Sequence, residues 1–275
     1  MESNGQWSRA ASSVSGPRWA KWPRISPGGG AILVLMAGAE DERVGGATLK
    51  ERLLGRGWQL FESIDAAYER GDIDLTEWHR RVGLIIGPAY LAATDPRGQS
   101  GSSNTPAEWE HARRFIFAAV NRDGRFLDVG CANGHLMECA ATWLADNGYR
   151  IEPYGLDILP ELVGLARQRL PHWADRIATG NALEWVPEQP FDYVRTGLEY
   201  VPARLRPDLV RHLLDTTVAA GGRLIVGAHT ELAGSQPRLE AQVASWGFRI
   251  AGHVEVPHTQ DYRVVRRAFW IERPA

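Results

Sequence analysis

The chain of 275 residues has two cysteines, two lysines, no excess charge of either sign and no long hydrophobic run. Each shortage removes a class of protein. If Cys131 and Cys139 lie at the start of one helix, eight residues put them ~12 Å apart, beyond the reach of a disulfide. A reducing cytoplasm fits that best, and with no histidine at zinc spacing to the pair, no metal is expected. The 31 basic and 33 acidic residues leave a net charge of −2, which supplies no general attraction to a phosphate backbone. Arginine outnumbers lysine 29 to 2, a bias read as codon composition. The uncharged stretch over residues 31–39 is too short to span a bilayer.

What the chain does have is a strand joined to a glycine-punctuated turn, Phe126-Leu127-Asp128-Val129-Gly130-Cys131-Ala132-Asn133-Gly134. Leu127 and Val129 suit a buried parallel strand. Gly130 and Gly134 leave backbone exposed for a ligand that approaches closely. A helix expected over 135–147 then points its positive end at that ligand. The spacing departs from a dinucleotide site, which needs Gly-x-Gly-x-x-Gly. Here Gly130, Ala132 and Gly134 alternate, with Asp128 two residues before the first glycine.

Further strands follow in order. Residues 151–156 read as a second strand ending at Asp157 and Ile158, with the acid near the ~20-residue spacing from which it reaches ribose hydroxyls in Rossmann-like folds. A helix from Pro160 to about residue 170 precedes a short third strand over 176–179, which ends in Gly180-Asn181-Ala182. The fourth strand is 191–196, followed by Leu198-Glu199-Tyr200-Val201-Pro202. Ala219-Ala220-Gly221-Gly222 turns a helix into a fifth strand over 223–227. Five strands alternating with helices predict an α/β fold with a doubly wound parallel sheet. Residues 247–256 and 262–272 then read as two consecutive strands with little room for a helix between them.

The acid with Gly130-x-Ala132-x-Gly134, the later Asp157, Asn181 and the Leu198–Pro202 segment, taken in this order, resemble the motifs of the class I S-adenosylmethionine-dependent methyltransferases. The resemblance covers about residues 106–275. One departure is Tyr200, which stands where many of the small-molecule enzymes have histidine in Leu-Glu-His-Val-Pro. The resemblance implies a Rossmann-like sheet closed by a C-terminal antiparallel hairpin, with S-adenosylmethionine as cofactor. It implies cofactor-binding roles for Asp128, Gly130, Ala132, Asn133 and Gly134, for Asp157 and Ile158 at the ribose, and for Asn181 and Ala182 at the adenine. Asp157 and Asn181 each have an ordinary alternative as turn residues.

Residues 1–44 read as a disordered leader that imitates a signal peptide poorly, with Met36 an alternative start. Residues 45–105 read as a helical cap. Thr48 to Tyr68 carries apolar residues near helical spacing, giving a helix or a broken pair. Thr76 can cap a second helix running to Gly87, and Pro88 can start a short third one through Tyr90. Residues 95–104 hold no apolar side chain and read as a loop. Thr105-Pro106-Ala107-Glu108 satisfies a capping box, so a helix is expected from Pro106 to about residue 120. The cap lies near the carboxyl edge of the sheet, where Tyr90 and the Gln99-Ser100-Gly101 segment would close over the methionine end of the cofactor.

Methyl transfer from a sulfonium is a direct displacement, so the protein must align the acceptor, exclude water and take up a proton where the acceptor carries one. His229, after the fifth strand, is the candidate base because imidazole titrates near neutrality. Glu199 and Tyr200 face the same cleft and could orient an amine or hydroxyl. The chain therefore reads as a cytoplasmic, metal-independent enzyme that methylates a small molecule. The alternatives are an RNA or protein methyltransferase, or an inactive cofactor-binding regulatory subunit. No Asn-Pro-Pro-Tyr-like motif and no basic-aromatic strip is present, so nucleic acid is not an expected partner. Nor is a membrane, and a homodimer is left open.

Overall fold

Strands with apolar residues on both sides must be covered on both faces, and the central strands of this chain are of that kind. In the computed structural model, residues 43–44, 47–48, 60–101, 105–259, 261 and 263–275 are described. The expected leader and its apolar stretch fall outside the described residues, apart from Arg43–Val44, which pairs with Ala47–Thr48 as a short antiparallel ribbon. Of the cap, Ala47–Thr48 and residues 60–101 and 105 are described, and Thr48, the expected start of the first cap helix, lies in that ribbon instead.

The main sheet has seven strands: β1 (Gly124–Val129), β2 (Ile151–Asp157), β3 (Ile177–Thr179), β4 (Phe191–Thr196), β5 (Val218–Leu232), β6 (Ile250–Pro257) and β7 (Val264–Glu272). Their order across the sheet is β3-β2-β1-β4-β5-β7-β6. The first five run parallel, and β7 runs antiparallel to both β5 and β6. This is the expected doubly wound sheet with its closing hairpin. Alternation along the strands divides the core between the two faces. Phe126, Tyr193 and Ile225 pack with Phe117, Ala140 and Leu144 on one face. Leu127, Val194 and Leu224 pack with Leu209, Leu213 and Val243 on the other.

Among the described residues, seven helices cover the sheet and its edge: α1 (60–69), α2 (Leu75–Ala92), α3 (Pro106–Arg113), α4 (His135–Asp146), α5 (Pro160–Arg169), α6 (Arg206–His212) and α7 (Leu239–Ser245). The capping box before α3 is complete, with Thr105 and Glu108 satisfying each other's backbone N–H groups. Beyond Arg113 the expected helix continues as a 3₁₀ segment, Arg114–Ala119.

Four expectations on the elements are corrected. The second cap helix starts one residue before Thr76, because Asp74 is the N-cap and accepts from the Glu77 N–H at 2.8 Å. That helix does not stop at Gly87 but carries Pro88 inside it to Ala92. Tertiary packing decides this: Gly83 and Gly87 lie against Leu159, and Ile86, Ala89 and Tyr90 join Leu159, Leu162 and Ala132 in one apolar cluster. β5 is three times the expected length: it begins at Val218, paired with Phe191 of β4, and β7 gives it a partner along Arg223–Leu232 even where its own residues are polar. Finally, α7 went unforeseen, being only seven residues long.

Candidate active site

β1, β2 and β4 all end at the carboxyl edge of the sheet, where open α/β folds bind ligands. A cleft of about 340 Å³ lies there, with α2 across it. Its floor begins with Asp128 at 1% exposure on β1, opposite Arg195 on β4. Arg195 donates from Nη1 to Asp128 at 3.1 Å and to the Tyr200 hydroxyl at 3.0 Å, and from Nε to the Gly227 carbonyl at 2.6 Å. Burial raises the Asp128 carboxyl to about 6, although Arg195 pulls the other way. Burial also opposes the Arg195 charge, but Tyr200 and Asp128 hold its pKa above the ordinary value. Sequence reasoning passed over Arg195. Its signal was a cation between the apolar Tyr193-Val194 pair and the strand's buried end, which has to be paired.

Asp157 ends β2 and uses both oxygens on backbone. Oδ2 accepts from the Ala132 N–H at 2.8 Å and Oδ1 from the Leu159 N–H at 2.9 Å. It thus fastens the glycine turn to the second strand, and burial raises its pKa. Gly130 (φ 74°) is required twice over, by its left-handed backbone and because a Cβ there would meet the Tyr200 ring at 2.5 Å. Ala132 (φ 48°) is left-handed without being glycine, a conformation that costs an alanine about 1–2 kcal/mol.

Of the residues expected at the cofactor, Asp128, Gly130, Ala132, Asp157, Ile158, Asn181, Ala182 and Tyr90 line the cleft together. Asn181 also fills its turn role, accepting from the Leu183 N–H at 3.1 Å. Gly134, Asn133 and Gln99 are corrections, since none of the three lines the cleft. Gly134 opens α4 against α5, where a Cβ would meet Leu170 at 2.7 Å, so helix packing demands it. Asn133 is fully buried and ties the lid loop down. Its Nδ2 donates to the Pro96 carbonyl at 2.9 Å and to Gln99 Oε1 at 3.2 Å, while its Oδ1 accepts from Ser100 Oγ. Gln99 in turn donates to the Ala93 carbonyl at 3.0 Å. Ser100 and Gly101, beside it, do line the cleft. Tyr90 is buried there, and desolvation with the charge of Asp157 raises its phenol well above the ordinary value.

The expected catalytic group divides. Glu199 and Tyr200 line the cleft. Burial raises the Tyr200 pKa despite Arg195, so its hydroxyl keeps its proton and orients rather than abstracts. His229 does not reach the cleft, and this is the main correction. Alternation on β5 turns Ala228 and Thr230 toward the cleft and His229 away from it. The His229 ring meets Phe269 edge-on at 5.9 Å, and its Nε2 lies 3.6 Å from Glu231. His229, Glu231 and Glu240 have ligand-type atoms within 4.8 Å of one another. The Arg267 guanidinium, 1% exposed, already pairs with Glu240 and Glu255 there. Cleft residues that sequence reasoning missed are His79, Arg113, Thr230, His258 and Arg266. His79 Nε2 bonds the Tyr200 carbonyl at 3.2 Å, joining α2 to the floor.

These residues fit S-adenosylmethionine. Asp157 presents its carboxylate at the cleft for ribose hydroxyls, Leu156, Ile158 and Ala182 offer apolar contact for an adenine, and Gly130 lines the cleft beside the buried Asp128. The family model described as "Methyltransferase domain" matches residues 102–267, more than half of the chain. No curated protein matches. Among solved structures, the N-methyltransferase NodS from Bradyrhizobium japonicum WM9 in complex with S-adenosyl-L-homocysteine is 18% identical with a TM-score of 0.48, over 68% of this chain and 95% of that one. A Burkholderia thailandensis 1,6-didemethyltoxoflavin-N1-methyltransferase is 17% identical with a TM-score of 0.44, over 62% and 79%. A Geobacter sulfurreducens S-adenosylmethionine-dependent methyltransferase is 14% identical with a TM-score of 0.44, over 69% and 97%. Likenesses this distant carry no argument of their own, and the family match stands on the motif order and the geometry above. The chain belongs to this methyltransferase family and is a class I S-adenosylmethionine-dependent enzyme.

Proposed function

We propose that the enzyme methylates a small molecule, without a metal, by direct displacement inside the cleft. The observation that carries this reading is the size and cover of the site: about 340 Å³, with Trp78, His79, Val82 and Tyr90 of α2 over the strand ends. Such a space suits a small acceptor and not a folded macromolecule. When bound, S-adenosylmethionine supplies a methyl group on a sulfonium, already an activated leaving group. The chain's own work is to align the acceptor, keep water out and manage one proton. Gly130 and Asp157 hold the cofactor, and the lid loop tethered by Asn133 with Tyr90 excludes solvent. Tyr200, fixed by Arg195, orients the acceptor's polar atom by a hydrogen bond. Glu199, the carboxylate beside it, takes up the acceptor's proton. Metal independence is supported by Asp128, whose Oδ1 accepts from Arg195, and by Asp157, both of whose oxygens accept from backbone N–H groups.

The test is transfer of labelled methyl from S-adenosylmethionine into the dialysable and the macromolecular fractions of a cell extract, with and without EDTA. Label in the dialysable fraction, unchanged by EDTA, is expected. Label only in protein or RNA would overturn the reading. With a labelled acceptor in hand, Glu199→Gln should lower turnover by roughly 10²-fold while leaving S-adenosylhomocysteine affinity unchanged. Undiminished turnover would remove Glu199 from the chemistry.

A further inference from the structure

The two ends of the cleft differ in charge. Toward β2 the lining groups are the carboxylates Asp128 and Asp157, both with protein partners. Toward β7 they are Arg266 and His258, with Thr230 and Thr259, and Arg113 of α3 lies between, close enough to both Arg195 and Arg266 for their charges to act on it. Arg266 stands on β7 opposite Thr230, four strands across the sheet from Asp157. At the spacing of paired strands that is roughly 19 Å, so this end lies away from the ribose acid.

Two arginines buried elsewhere in the chain pair with carboxylates, Arg195 with Asp128 and Arg267 with glutamates, while the buried Arg206 donates to the Leu198 carbonyl. Among the described residues, no carboxylate lies within ion-pair distance of Arg113 or Arg266. Arg113 rests on the Trp109 ring, 5.1 Å from its centroid, and donates to the Ala112 carbonyl at 3.2 Å. Arg266 has its Nε buried with no hydrogen-bond partner. The carboxylate of Glu108, whose charge favours the Arg266 cation, accepts from the N–H and hydroxyl of Thr105 at 2.9 Å. Burial, with Arg195 and Arg266 adding to it, presses Arg113 down to about 10. Burial lowers Arg266 in the same way. Two partly desolvated like charges facing one cavity are an unfavourable arrangement that an anion would relieve, and guanidinium is the group best shaped for carboxylate or phosphate oxygens.

We propose that Arg266, with Arg113 beside it, binds an anionic group on the methyl acceptor, making the acceptor a small carboxylic or phosphoric acid. This rests on the reading of the cleft as the site of methyl transfer to a small molecule. The anion would lie against β7, with the reacting atom toward Glu199 and Tyr200. Arg266 is thereby a specificity residue, and the bond it makes is formed before any methyl moves.

The experiment titrates inorganic phosphate, and separately acetate, into the full chain saturated with S-adenosylhomocysteine, at constant ionic strength, by calorimetry. Saturable binding of one of the anions is expected, phosphate or acetate identifying the class. Arg266→Gln should weaken it by about tenfold or more, and Arg266→Lys should recover much of it. S-adenosylhomocysteine affinity should be the same in all three proteins. If neither anion binds, or if Arg266→Gln binds them as well as wild type, the proposal is overturned. It is equally overturned if Arg266→Gln loses S-adenosylhomocysteine affinity, since the cation would then serve the cofactor. Failure of the wild-type protein to bind S-adenosylhomocysteine would instead defeat the reading of the cleft itself, and a parallel titration of the cofactor-free protein keeps the two failures apart.

Discussion

His229 shows how far a residue's type can mislead when its side chain's direction is unknown. Its position near the end of β5 was legible, but which way it faced was not, because a polar strand continuing to Leu232 leaves no apolar alternation to read. His229→Ala should therefore leave turnover and S-adenosylhomocysteine affinity unchanged, while the loss of its contact with Phe269 lowers the melting temperature. A fall in turnover without a fall in stability would return it to the chemistry. Asp128 makes the opposite case, a residue that lines the cleft at its expected place but whose electrostatics could not be seen. The folded carboxyl titrates near 6 and the unfolded one near its ordinary value. The folded chain thus holds an extra proton between those values, and the contribution of Asp128 to stability falls as pH rises through that window and is constant above it. A sulfonium in the cleft would favour the ionised carboxylate, so S-adenosylmethionine affinity should rise with pH through about 6. Titration calorimetry across that range should show the rise, with a shallower slope in Asp128→Asn. A flat profile in the wild type would contradict the placement of Asp128 beneath the cofactor.

At the scale of elements, the pieces whose local chemistry is complete were legible. The capping box at Thr105 set the start of α3, and Phe191–Thr196 could be bounded from its apolar residues and its flanking turns. Elements that depend on distant partners were not. α2 continues through Pro88 only because Leu159 and Leu162 pack against it, and β5 runs on to Leu232 only because β7 is there. The lid loop belongs with these. Its polar composition announced a loop over residues 95–104, but Asn133, taken for a cofactor contact, is the group that fastens it. Asn133→Ala should release that loop. S-adenosylhomocysteine should dissociate faster by stopped-flow fluorescence while the far-UV spectrum of the protein is unchanged. An unaltered dissociation rate would mean that the tether has no part in retaining the cofactor.

For the whole molecule, the order of motifs was the strongest signal, because a fold that brings the ends of β1, β2 and β4 to one edge brings Asp128, Asp157 and Glu199 with them. The groups missed, Arg113, Arg195 and Arg266, come from α3, β4 and β7 and share no local pattern. In a chain with 29 arginines, Arg195 has a signal in its apolar strand, and nothing in the sequence singles out Arg113 or Arg266. Only the sheet order brings them to the cleft. The central claim is that this edge binds S-adenosylmethionine through the acid that ends β2. It is tested most directly by calorimetry of S-adenosylhomocysteine with the wild type and with Asp157→Ala, alongside NAD. The account predicts that S-adenosylhomocysteine binds, that Asp157→Ala weakens it by about 1.5–3 kcal/mol, and that NAD does not bind. Unchanged affinity in Asp157→Ala, or binding of NAD to the wild type, would contradict it.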